Sequence, residues 1–309
     1  MEFFKQNTKI DFMGQRKIAA ILSSVLFLLS ILSLCIYGLN WGLDFTGGTQ
    51  IQLLFPTQAH LTDIRNSLDQ AGFENAVVMS YGTSKDVLVT LAAKKTDAED
   101  ANKDIILKKV LHALPDAKPM QVDYIGSVVG KELATKGALA IVVSLLGTMI
   151  YIALRFEMRF AIGSTVALIH DPVLILGIFS FLKIEFNLIA LAAVLTVIGY
   201  SLNDTIVIFD RVRENFRKLR KASPVEVVNQ SINQTLSRTI MTSVLTLMVV
   251  LALFFLGGSM LYGFSLALII GIIVGTYSSI YVAGSLSLAL GLTRQHLLPV
   301  SKELLDDRP

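Results

Sequence analysis

The chain has 309 residues, 53% of them hydrophobic and 17% charged, with a formal net charge of +3 and a mean hydropathy of +0.62. That balance excludes an ordinary soluble globular protein and is the composition of a multi-spanning membrane protein. It also argues against nucleic acid as a partner, because the basic residues gather beside apolar runs and not along one soluble face.

Residues 1–17 are polar and carry Lys5, Lys9, Arg16 and Lys17. Residues 18–39 follow as an apolar run of about 22 residues, enough to cross a hydrocarbon core of ~30 Å. The run is too long for the apolar part of a cleaved signal peptide, and no small-x-small cleavage site follows it. Tyr37 and Trp41 fall where an aromatic belt lies at the far interface.

Residues 40–133 are soluble in character. Residues 49–55 (TQIQLLF) alternate as a strand does, and residues 60–72 carry apolar side chains at helical spacing and stop at Gly72. Residues 76–81 and 86–92 read as strands joined by a turn at 82–85. Residues 97–114 are amphipathic, with acids in the first turn and Lys108 and Lys109 late, as a helix dipole prefers. A last alternating strand covers 119–125. Strand-helix-strand twice over is the split βαβ, ferredoxin-like arrangement, so an α+β domain is expected here. It contains no catalytic constellation and reads as a binding or lever domain.

Five more apolar runs cover 137–154, 160–182, 186–209, 240–256 and about 261–290. Together with the first they predict an α-helical membrane protein of six transmembrane helices. The domains expected are an N-terminal segment 1–17, a first span 18–39, the inserted domain 40–133, a five-helix bundle 134–290 with a loop at 210–239, and a tail 291–309. Lysine and arginine set the topology. One side collects the N-terminal cluster, Arg155, Arg159, the run from Arg211 to Lys221, Arg238, Arg294, Lys302 and Arg308. The short links opposite carry only Lys183, and residues 257–260 carry no basic residue. Both termini are therefore expected to be cytoplasmic and the inserted domain outside. The Arg211–Lys221 run fits contact with anionic membrane lipids, or a docking site for a partner.

Polar residues inside the runs are the candidates for function. Asp204, in GYSLNDTIVIFDRVREN (199–215), is the strongest. A carboxylate at such depth costs ~2.5–3.5 kcal/mol on insertion scales and reads as functional. It lies about 9 Å from Asp210 along a helix rising ~1.5 Å per residue. Tyr200 and Asn203 stand beside it as polar lining. Arg238, in QTLSRTIMTS (234–243), is long enough to reach Asp204 if the two spans are neighbours, and such a pair would hold the carboxylate ionised until it broke. The plainer readings are a static ion pair, or for Arg238 simple anchoring at the interface. His170-Asp171-Pro172 interrupts the third span. Proline kinks the helix, and the two titratable groups are either a second relay position or partners for freed carbonyls. Gly271 and Gly275 form a GxxxG packing pattern, with Thr276, Tyr277, Ser278 and Ser279 adding hydroxyls. The single cysteine, Cys35, excludes an internal disulfide. The four histidines, His60, His112, His170 and His296, have no metal-ligand spacing, so neither a metal nor another cofactor is expected.

GLDFTGGT (42–49), GSVVGKEL (126–133), the 199–215 and 234–243 stretches and GTYSSIYVA (275–283) together resemble the SecD/SecF family of export proteins, on its SecF side. The resemblance covers essentially the whole chain. It implies a relationship to the RND transporter superfamily, a six-span SecF subunit in the bacterial inner membrane, and a ferredoxin-like periplasmic domain. It also implies a separate SecD as heterodimer partner, the SecYEG channel and YajC as further partners, and use of the proton-motive force to draw preproteins out. Protons are then the coupling ion and no covalent chemistry is involved. The family's functional charged residues fall on Asp204 and Arg238, and Gly42, Asp44, Gly47 and Gly48 form its periplasmic motif, as a hinge or as a tight exit from the membrane. Three rival readings weigh less. An intramembrane aspartyl protease on Asp171 and Asp204 lacks the expected glycine-x-glycine-Asp loop, and its two acids sit at different apparent depths. An RND-type small-molecule exporter needs a larger outer domain. A non-catalytic scaffold that only stabilises the channel would be marked by an activity insensitive to an uncoupler.

Overall fold

The computed structural model describes residues 8–73, 76–81, 83–92 and 103–293. Lys5, Gly82, residues 97–102, Arg294, His296, Lys302 and Arg308, all invoked above, lie outside the described residues. Among the described residues six helices are long and apolar enough to cross a membrane. They are α1 (Arg16–Tyr37), α5 (Ser127–Arg155), α6 (Met158–Leu182), α7 (Leu188–Lys218), α8 (Pro224–Leu256) and a last rod of α9 (Gly258–Ser278), a π turn (Ser279–Ala283) and α10 (Gly284–Ala289).

Each expected apolar run lies within one of these helices or overlaps it, but the helices outrun hydropathy at their polar ends. α7 continues past Phe209 to Lys218, and α8 starts at Pro224, so the segment 210–239 is not a loop. It is two helical extensions joined by a short turn. Polarity ends a membrane span but not a helix. Glu214 holds Arg211 at 2.8 Å and Lys218 at 2.6 Å on the extension of α7, at the three- and four-residue spacings that support helices. Ser223 and Glu226 form a capping box with Pro224 in the first turn of α8. Arg155, ending α5, pairs with Asp210 at 3.0 Å.

α6, α7 and α9 form the inner layer, with half or more of their apolar windows buried, while α1, α5 and α8 leave most of theirs exposed. Glycines permit the close approaches. A Cβ on Gly271 would collide with the Val197 side chain, and one on Gly275 would stand 3.0 Å from Ser201 Cβ, so the GxxxG stretch seats α9 on α7. Gly177 of α6 meets Ser30 of α1 in the same way.

Between α1 and α5 the chain forms β1 (Asn40–Trp41), α2 (Leu43–Thr46), β2 (Gly48–Leu54), α3 (Leu61–Gln70), β3 (Val77–Tyr81), β4 (Thr83–Ala92), α4 (Lys103–Ala113) and β5 (Lys118–Ile125). β2 to β5 make one antiparallel sheet in the order β3-β4-β2-β5. Alternation along β2 and β4 puts Ile51, Leu53, Val87 and Val89 on the buried face, against Ile64 and Leu68 of α3 and Val110 of α4. β4 begins at Thr83, so most of the expected turn at 82–85 is strand. Pairing with β3 carries on almost to the tip of the hairpin, as far as Tyr81 and Thr83.

Val197 is fully buried and β-branched, hence unable to turn aside. Gly271→Ala is therefore expected to cost about 1–3 kcal/mol as overpacking. Gly147→Ala on α5, where a Cβ meets nothing, should be neutral or gain up to about 1 kcal/mol in helix propensity. Thermal unfolding in detergent reads the opposite signs.

Candidate functional site

The inner layer encloses a chain of polar side chains. Asp171 sits mid-way along α6, next to Pro172, and is 0% exposed. A carboxylate there needs partners, and it has them on three sides. Its Oδ1 faces His170 Nδ1 at 3.0 Å. Its Oδ2 accepts from Ser201 Oγ of α7 at 2.6 Å and from Ser278 Oγ of α9 at 2.9 Å. One side chain thus ties together all three inner helices. The His170 ring stacks on Phe27 of α1 with centroids 6.1 Å apart. A second tier follows: Thr205 Oγ1 and Ser279 Oγ are 2.9 Å apart, bridging α7 to the π turn. π turns are rare and often stand at functional sites, and here the turn opens on Ser279 itself, directly after Ser278.

Asp204 lies one turn beyond Ser201 on α7 and is 3% exposed. Its surroundings contrast with those of Asp171. Its Oδ2 is buried without a hydrogen-bond partner among the described residues, as are Tyr200 Oη one turn earlier and Thr239 Oγ1 on α8. The guanidinium of Arg238 acts electrostatically on Asp204 but forms no ion pair with it within 4.0 Å. The direct Asp204–Arg238 pair expected from the sequence is therefore not made here. The facing of α8 explains the gap. Ser231, Thr235 and Thr239, four residues apart, form its buried stripe, and Arg238, one position off that stripe, is exposed. Asn203 is exposed and Tyr200 half-buried, so only Tyr200 shares the interior with Asp204.

The two aspartates are closer in depth than counting from span ends implies. Asp171 bonds Ser201, three residues from Asp204. Depth counted from hydropathy edges misjudges helices that run beyond those edges. Ser201, Thr205, Ser278 and Ser279 complete the site. Of these, only Ser278 and Ser279 belong to a hydroxyl-rich stretch that the sequence makes noticeable. Ser201 acquires its role from the helix pairing, which no local signal reveals.

At the opposite end of α7 the Gly42–Gly48 stretch closes over the helix. Asp44 Oδ2 accepts from the Leu188 backbone N–H at 2.8 Å, satisfying a free donor of the first turn of α7. β1 pairs in parallel with β6 (Glu185–Phe186), and Gly42 N donates to Phe186 O at 2.9 Å. Gly47 (φ 69°) and Gly48 (φ 140°) hold backbone shapes that other residues resist. Gly130 of α5 allows that backbone to lie against it. The four residues Gly42, Asp44, Gly47 and Gly48 are thus brought together as a clasp on α5 and α7. Burial first, and the Asp44 charge second, push the Glu185 carboxyl above the ordinary glutamate range.

Six membrane-length helices around a buried carboxylate network, with a sheet domain inserted after the first, define a multi-pass membrane protein. The family of protein export membrane proteins SecD/SecF, C-terminal, matches residues 105–293, and the SecD/SecF GG motif matches residues 32–55. Protein translocase subunit SecF of Vibrio alginolyticus is 46% identical, over 98% of this chain and 96% of that relative. The Escherichia coli O157:H7 protein of the same description is 42% identical over 93% and 90%. The crystal structure of SecDF, a translocon-associated membrane protein from Thermus thermophilus, superposes with a TM-score of 0.83 at 36% identity. It covers 93% of this chain, which spans 39% of the SecDF chain. The chain belongs to the SecD/SecF family.

Asp171→Ala leaves buried hydroxyls without their acceptor, at about 1–3 kcal/mol for each one stranded. Ser278 keeps a second acceptor, Gly275 O at 3.2 Å, whereas Ser201 Oγ has none among the described residues, so Ser201→Ala in the Asp171→Ala background should recover part of the loss. Unfolding of the purified variants in detergent measures it. Because Glu185 binds its proton more tightly when folded, its contribution to stability is present at low pH and is lost as pH rises through the raised value. Glu185→Gln should remove that loss, visible as a flatter melting temperature against pH.

Proposed function

We propose that the chain acts as a SecF-type subunit of the protein-export machinery in the bacterial inner membrane. In this reading it pairs with SecD, works beside SecYEG and YajC, and uses the proton-motive force to help preproteins across and release them outside. Both termini are cytoplasmic, and the sheet domain, read as ferredoxin-like from its strand order, lies in the periplasm. The subunit makes and breaks no covalent bonds, and protons are its only coupling ion.

The observation that carries the mechanism is Asp204: a buried carboxylate with an unpartnered oxygen, under the influence of an Arg238 that does not pair with it. A group held this way responds to a proton, because protonation removes the charge that Arg238 acts on and the cost of burying it. The hydrogen bonds that tie α7 to α6 and the last rod, through Ser201 and Thr205, lie within one turn of Asp204, and a movement of α7 has to re-make them. α7 is a single helix from Leu188 to Lys218. A rotation or slide started at Asp204 reaches Asp44 at its outer end, and through the clasp the outer domain. Each charge crossing the membrane potential supplies ~2.3 kcal/mol per 100 mV, so a few protons suffice to bias such a motion.

The test compares preprotein release from spheroplasts with and without a proton gradient. Asp204→Asn should abolish the gradient-dependent part and leave the basal part, and Arg238→Met should reduce it at least about tenfold, the effect of roughly 1.4 kcal/mol. Full gradient dependence in Asp204→Asn would refute the mechanism.

A further inference from the structure

At the end of the bundle that holds Arg16 and Thr293, a cavity of about 750 Å³ opens between the start of α1, the middle of α6, the start of α8 and the end of α10. Its size suits a small-molecule or lipid moiety. Most of its wall is apolar, with Val166, Val225 and Leu286 among the residues that line it. Two cations, Arg16 and Lys17, stand at its rim. Neither side chain has an ion pair or hydrogen bond to any described residue. Ser285 also lines the cavity, and its Oγ is a buried polar atom with no partner among the described residues.

We propose that this cavity binds one anionic glycerophospholipid, of the phosphatidylglycerol type. Three features of the wall select that class. The guanidinium and ammonium, without a partner among the described residues, call for a phosphate, and basic pockets between membrane helices take anionic headgroups. The hydroxyl of Ser285 is a donor for an ester or phosphate oxygen beneath the headgroup. From Lys17 the wall runs along α1 to Ser24, about 10 Å at ~1.5 Å per residue, which carries it from the headgroup layer into the hydrocarbon. The outer face of α1 beside it exposes Ile21, Leu22 and Val25, as a surface meeting acyl chains does. A free phosphate satisfies the cations but has no use for the apolar wall, and a zwitterionic lipid brings its own ammonium to a site that already holds two positive charges.

Native mass spectrometry of the full chain in detergent tests this, with dioleoylphosphatidylglycerol and dioleoylphosphatidylcholine titrated in parallel. One phosphatidylglycerol should be retained in preference to phosphatidylcholine, and excess inorganic phosphate should not displace it. Replacing both cations (Arg16→Ala with Lys17→Ala) should weaken retention about thirtyfold, two charges' worth near an anionic headgroup. The charge-keeping exchange Arg16→Lys with Lys17→Arg should retain it, which separates lost binding from lost folding. Leu286→Trp, filling the cavity, should also reduce retention. Equal retention of the two lipids, displacement by phosphate, or unchanged retention in the double alanine variant overturns the proposal. So does retention that appears only when the chain is cut after Thr293, because the cavity is then the seat of residues 294–309.

Discussion

Hydrocarbon offers no hydrogen bonds, so a polar side chain inside a bilayer must find its partners within the protein. Asp171 is where that constraint bears most heavily. One fully buried carboxylate on α6 accepts from hydroxyls of α7 and α9 and thereby fixes the mutual rotation and height of the three helices. The glycines that bring α9 onto α7 are the steric counterpart: Gly275 sits against Ser201, the residue that bonds Asp171. Packing and hydrogen bonding thus specify the same arrangement, and the hydroxyls of Thr205 and Ser279 extend it by a further turn.

Against that satisfied acid, Asp204 is the exception one turn away. The difference lies in partners and not in burial, since both are almost wholly inside. A carboxylate that accepts from hydroxyls on two neighbouring helices holds an architecture. A carboxylate with an oxygen unpartnered among the described residues leaves the cost of its burial uncompensated. The two kinds stand side by side on one frame. α7 runs from Asp44 at one end to the paired charges around Glu214 at the other. At the Asp44 end, burial first and the Asp44 charge second raise the carboxyl of half-buried Glu185.

Much of this is legible in residue order. Long apolar runs announce six spans, because crossing ~30 Å of hydrocarbon demands them. Alternation announces the strands of the inserted domain, and a charged residue in an apolar run announces Asp204. Where residue order misleads, chemistry stands in for geometry. The 210–239 segment is polar and reads as a loop, yet capping and ion pairs keep it helical. Arg238 is long enough to touch Asp204, yet its position beside the buried stripe of α8 leaves it exposed.

What the sequence by itself determined is the inventory: the number of spans, the side that carries the cations, the alternating strands, and the few ionisable groups committed to the interior. Those follow from transfer energies and from local periodicity, which each residue expresses without its neighbours in space. The tertiary structure decided which acid is satisfied and which is not. Ser201 and Ser278 lie far from Asp171 in the chain, and only the crossing of α6, α7 and α9 brings their hydroxyls to its oxygens. A hydrogen bond depends on distance and direction between helices, and neither is written in the periodicity of any one of them.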